Sequence, residues 1–182
     1  MTAVAVLGLA LGGFAAAIPT LAASAATIGT PVITDSLTGT VTGPDAIVDC
    51  ATTPIAIGGT QAVAVPVACL TEFNGEWYQV SWTGTGVSTK LTVQTDANFV
   101  LYAGNGKVWG AKTRFADNAN GPGCEAAFQG DANLVVRNCD GTAIWSSATH
   151  TYPDAILAFQ ADGNLVIYDS VATHKALWST GT

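Results

Sequence analysis

Charge is what this sequence has least of. Only 10% of its 182 residues are charged, and six Lys plus Arg stand against 13 Asp plus Glu, for a formal charge of −7. Nucleic-acid binding rests on clustered cations that neutralise phosphate, so nucleic acid is excluded as a partner. Histidine is scarce as well: His150 and His174 stand alone in loop-like sequence, with no activated serine or cysteine pattern beside them. None of the four cysteines, Cys50, Cys69, Cys124 and Cys139, forms a Cys-x-x-Cys, which argues against zinc. Beyond residue 26 there is no amphipathic helical period.

What remains is a chain of short β-branched runs separated by Gly, Asn and Asp, the pattern of an all-β protein. Its length suits one ordinary domain, or a modest domain with an appendage. The opening stretch, MTAVAVLGLALGGFAAAIPTLAASAA, is apolar and uncharged, and it ends in the small residues Ala23-Ser24-Ala25. We read residues 1–26 as a signal peptide cut near Ala25 or Ala26, although it lacks a basic start. Pro19 and the many Gly and Ala make a poor membrane span. The expectation is a secreted, extracellular protein without membrane insertion, whose cysteines can pair in an oxidising compartment.

Three segments carry one frame. QTDANFVLY begins at Gln94, QGDANLVVR at Gln129 and QADGNLVIY at Gln160, so QxDxNxVxY recurs at separations of 35 and 31 residues. A period of this size indicates a repeat architecture. Each copy is followed by a tryptophan, in WGAKT, WSSAT and WSTGT. On a strand the frame residues share one face and the residues between them share the other. A large indole at one place in every repeat points to core, so Trp109, Trp145 and Trp178 are expected to meet near a threefold axis. Turn formation accounts for part of the Asp and Asn, but not for Gln, Val and Tyr on the same face. A carboxylate, two amides and a phenol match the vicinal hydroxyls of a sugar, which both donate and accept.

The frames, their spacing and the WSS-x-T endings closely resemble the bulb-type, snowdrop-like D-mannose-binding lectins, over residues 85 to 182. The resemblance implies a β-prism II fold: three four-stranded antiparallel sheets about a pseudo-threefold axis, with a shallow mannose pocket on each. It also implies that Gln, Asp, Asn and Tyr hydrogen-bond the sugar while Val packs on its ring carbons, with no metal and no cofactor. Carried over, the carbohydrate-binding residues are Gln94, Asp96, Asn98, Val100 and Tyr102, and Gln160, Asp162, Asn164, Val166 and Tyr168. A weaker set is Gln129, Asp131, Asn133 and Val135, where Arg137 replaces the phenol, carries a charge and can reach Asp131.

Residues 71–182 form the expected lectin domain. Residues 27–70 form a small β-rich N-terminal segment of unassigned role, with runs such as TPIAI and QAVAVPVAC. So few residues make a thin core, which a local Cys50–Cys69 disulfide would support. Cys124 and Cys139 lie five residues before and ten after Gln129, nearly opposite each other in a hairpin turning near Asp131 and Ala132, and make the second pair. The chain is not read as an enzyme, because glycoside hydrolysis needs two carboxylates flanking one bond and each frame supplies one. Calcium needs six to eight oxygens, which the frames do not offer. The expected partners are mannose-containing glycans. The rival is a lectin scaffold acting by protein contact, as an adhesin, an inhibitor or an antibacterial toxin. Oligomerisation is left open.

Overall fold

The computed structural model describes residues 31–36, 39–42, 53–82, 87–104, 106–114 and 121–182. The expected signal peptide and Cys50 lie outside them. Among the described residues there are fifteen strands and no helix. The first sheet comprises β1 (Pro31–Asp35), β2 (Gly39–Thr42), β6 (Trp77–Trp82), β7 (Ser88–Val93), β8 (Phe99–Ala103) and β9 (Gly106–Gly110), in the order β2-β1-β6-β7-β8-β9. The second comprises β5 (Leu70–Phe73), β10 (Gly123–Phe128), β11 (Leu134–Asn138) and β12 (Ala143–Ser146), in the order β12-β11-β10-β5. The third comprises β3 (Thr53–Ile57), β4 (Thr60–Pro66), β13 (Ile156–Gln160), β14 (Leu165–Tyr168) and β15 (Ala176–Ser179), in the order β15-β14-β13-β4-β3.

Each frame therefore sits in a three-stranded meander, and a fourth strand, β6, β5 or β4, completes its sheet. The expected three antiparallel sheets are present, but only the second has four strands. β1 and β2 extend the first sheet beyond β6, and β3 extends the third beyond β4. The stretch before residue 70 is thus hydrogen-bonded into the prism: Thr34 opposes Gln79 and Ala64 opposes Ala158.

Alternation decides which side chains fill the interior. The residues between frame positions, such as Leu101, Val136, Leu165 and Ile167, are fully buried and join Phe99, Phe128 and Phe159 in one core. Burying each of these large side chains is worth roughly 1.5–3 kcal/mol. Trp109, Trp145 and Trp178 meet as expected, with ring centroids 5.3, 5.4 and 5.7 Å apart and edge-to-face geometry. Cys124 and Cys139 are disulfide-bonded with Cα atoms 5.1 Å apart, at a bulge between Gly123 and Glu125. Cys69 is also disulfide-bonded.

Among the described residues, one acid is buried in this interior. Glu72 on β5 is 2% exposed, and its Oε2 has no hydrogen-bond partner. Desolvation, with Asp35 and Glu76 adding like charge, raises its pKa from 4.5 to about 8. Burial pushes the Tyr78 phenol up as well, with Asp35 and Glu72 contributing.

Candidate functional site

The turn of each frame is built the same way. Asp96, Asp131 and Asp162 each use Oδ1 to accept from the backbone N–H of Asn98, Asn133 and Asn164, at 3.1, 3.0 and 3.0 Å. This is the local bond that makes Asp a turn residue. All three carboxylates are exposed, and the bond leaves Oδ2 to accept from outside. The residue between Asp and Asn has positive φ: 67° at Ala97, 74° at Ala132 and 94° at Gly163.

The asparagines hold the chain segment that follows each tryptophan. Asn98 Oδ1 accepts from Thr113 N, Asn133 Oδ1 from Ser147 Oγ and Thr149 N, and Asn164 Oδ1 from Thr180 Oγ1. The fourth residue after each Trp returns the contact. Thr113, Thr149 and Thr182 donate Oγ1 to the carbonyls of Ala97, Ala132 and Gly163, at 3.0, 2.6 and 3.1 Å. The frame Asn is therefore half structural, with its amide nitrogen left over for other partners. The signal for this clasp was in plain view as the shared final Thr of WGAKT, WSSAT and WSTGT.

Gln and Tyr complete the expected set. Gln94 Nε2 donates to Tyr102 Oη at 2.7 Å, and Gln160 Nε2 to Tyr168 Oη at 3.0 Å. A register shift falls immediately before this position in every sheet, at Leu101/Tyr102, Val136/Arg137 and Ile167/Tyr168. Such bulges re-aim a side chain. Val100, Val135 and Val166 lie beneath the surface, where they act as a packed floor.

The three frames differ in what surrounds them. In the first, Gln94 and Tyr102 are half-buried and open into a cleft of about 460 Å³, also lined by Trp77, Gln79, Lys90 and Thr92. In the second, Arg137 Nη1 donates to the Gly141 carbonyl at 3.0 Å, in the β11–β12 turn, rather than to Asp131. In the third, Gln160 is 5% and Tyr168 8% exposed, among Ala62, Ala64, Ile156 and Ala158 with Ile55 and Ile57 packed against them. Asp162 is its exposed polar group. The residues that sequence reading missed, Trp77, Gln79 and Lys90, lie outside the repeated frame and carry no periodic signal.

No family model matches the chain. It is 37% identical to a mannose-specific lectin of Aloe arborescens over 97 residues, which covers 51% of this chain and 79% of that protein. Among solved structures, a monomeric monocot mannose-binding lectin from Gastrodia elata shares 32% identity, covering 62% of this chain and 90% of that one with a TM-score of 0.47. The snowdrop (Galanthus nivalis) mannose-specific agglutinin, solved with methyl-α-D-mannoside, shares 29% identity, covering 58% and 93% with a TM-score of 0.43. Identity at the level of the Aloe protein, across most of that protein's length, means that the chain belongs to the bulb-type mannose-specific lectin family.

Proposed function

We propose that the protein is a secreted lectin that binds mannose, or glycans ending in mannose, without a metal and without changing them chemically. The observation that carries this reading is the open first frame. Gln94 and Tyr102 form a bonded pair that lines a cleft, and Asp96, two residues along the same turn and outside the cleft lining, offers a free carboxylate oxygen. A sugar hydroxyl in the wrong configuration would leave one of these groups unpaired, at a cost of about 1–3 kcal/mol, enough to separate epimers. One carboxylate per frame is too few for calcium, which supports the metal-free reading. The uncharged apolar stretch over residues 1–26 supports export.

The test is calorimetric titration of methyl α-mannoside, with methyl α-galactoside as control, in buffer with and without EDTA. Saturable mannoside binding that survives EDTA and is weakened at least fivefold in Asp96→Ala is the expected result. Silence toward mannoside would remove the reading, and binding abolished by EDTA would remove its metal-free part. For export, the N-terminus of the secreted protein is expected at Ala26 or Thr27.

A further inference from the structure

The three frames repeat, but the rows of side chains beside them do not. Directly opposed residues on antiparallel strands share a face, so each row can be read outward from the frame strand. In the first sheet, Val100 is followed by Thr92 and Trp77, and Tyr102 by Lys90 and Gln79. In the second, Val135 leads to Ala127 and Thr71, and Arg137 to Glu125 and Phe73. In the third, Val166 leads to Ala158 and Ala64, and Tyr168 to Ile156 and Pro66. One sheet of the three thus continues its frame into a tryptophan, an amide and an ammonium group.

These side chains line the same cleft as Gln94 and Tyr102. Lys90 Nζ lies 4.5 Å from the centroid of the Trp77 ring, a cation held over an aromatic face. The described lining contains no acid beside it. Two strand spacings separate Tyr102 on β8 from Gln79 on β6, about 10 Å, which suits two linked sugars rather than one. The volume of about 460 Å³ falls within the roughly 300–1,000 Å³ of small-molecule sites.

We infer that the first pocket continues into a second subsite, formed by Trp77, Gln79 and Lys90, which holds a sugar residue bearing a carboxylate or phosphate next to the mannose. This rests on the mannose reading above. Lys90 meets the anion, Gln79 offers a donor and an acceptor to ring hydroxyls, and the Trp77 edge borders the sugar's apolar side. The formal charge of −7 opposes any anion at long range. At physiological salt, however, charges more than about 8 Å away are largely screened, so the ammonium in the cleft decides the outcome.

The experiment compares four probes by calorimetry at about 0.15 M salt: methyl α-mannoside, a neutral mannobiose, mannosyl-glucuronic acid, and mannobiose phosphorylated on its second residue. The expected result is that at least one acidic disaccharide binds roughly fivefold more tightly than neutral mannobiose, as befits a partly exposed ion pair. That margin should shrink in 0.5 M salt and disappear in Lys90→Gln. The uronate and phosphate arms show which anion the subsite prefers. Equal binding of neutral and acidic disaccharides, or a preference that survives in Lys90→Gln, overturns the inference while leaving the mannose reading in place. Failure of all four probes to bind overturns the mannose reading itself.

Discussion

Gln94 gives its side-chain N–H to the hydroxyl of Tyr102 at 2.7 Å, so the phenol's own proton points away from the amide and remains available as a donor. The same bond joins Gln160 to Tyr168 at 3.0 Å, but there both residues are buried. The two tyrosines should therefore respond differently to loss of the hydroxyl. Tyr102→Phe is expected to weaken methyl α-mannoside binding about 5- to 30-fold with little change in melting temperature, because the freed amide can reach water. Tyr168→Phe is expected to lower stability by roughly 1–3 kcal/mol through a stranded buried amide, with a smaller effect on sugar binding. Calorimetry and urea unfolding of both variants check this, and the reverse pattern would mean that the third frame is the working pocket.

Thr149 tests the clasp. Its Oγ1 donates to the Ala132 carbonyl and lies 2.8 Å from Ser147 Oγ in buried surroundings. Thr149→Val keeps the shape and removes the hydroxyl from both contacts, leaving the Ala132 carbonyl without this donor, at an expected cost of about 1–3 kcal/mol. Thr149→Ser should retain most of the stability. Urea midpoints at constant slope measure both; a valine variant as stable as the parent would mean that the clasp contributes nothing.

Gly163 occupies the position where the other two frames carry Ala97 and Ala132. A β-carbon there would lie 2.7 Å from Ala103 Cβ, at a φ of +94°. Gly163→Ala is expected to destabilise by about 1–3 kcal/mol, combining overpacking with backbone strain. Adding Ala103→Gly should recover the steric part alone. Full recovery would show that φ costs nothing, and no recovery that the contact was harmless.

Glu72 makes stability depend on pH. Its folded pKa of about 8 lies above the ordinary 4.5, so between these values the folded state keeps a proton that the unfolded chain has released. The contribution is fully present below pH 4.5 and is lost as pH rises toward 8, on the order of a few kcal/mol. The parent should therefore lose more stability between pH 5 and pH 8 than Glu72→Gln, which cannot ionise. Parallel curves of unfolding free energy against pH for the two proteins would contradict this.

The parts of the molecule legible in the sequence were those written three times. The trailing indoles predicted the contact among Trp109, Trp145 and Trp178, and the spacing of Cys124 and Cys139 predicted their bond. The frame letters brought Gln and Tyr together as expected, but across a hairpin rather than along one strand: the Asp and Asn of each frame form the turn, with Gln at the end of one strand and Val and Tyr on the next. Sites written once were not legible. The first and third frames spell the same five letters, yet Gln160 is buried and Gln94 half-exposed, because Ala62, Ala64 and Ile55 reach the third frame from far away in the chain. Nor does QAVAVPV state its partner. An Ala and Val strand has equal claim to any apolar neighbour, and only the closed prism assigns β4 to β13. Trp77 and Lys90 were invisible as a pair because their meeting depends on the β6–β7 register.

The three completing strands close their sheets over very different lengths of chain. β6 meets its meander through Gln79 and Lys90, 11 residues apart; β5 through Glu72 and Ala126, 54 apart; and β4 through Ala64 and Ala158, 94 apart. Closing the longest of these loops costs about 2 kcal/mol more entropy than closing the shortest. The first sheet is therefore closed by a local contact, while the third is closed by the longest loop, although all three completing strands precede the first frame. Solenoids grow by adding each repeat to its neighbour. This chain instead closes its last repeat on β4, residues 60–66, so the pairing of Ala64 with Ala158 joins the last repeat to a strand that lies before the first and carries the largest loop-closure cost of the three.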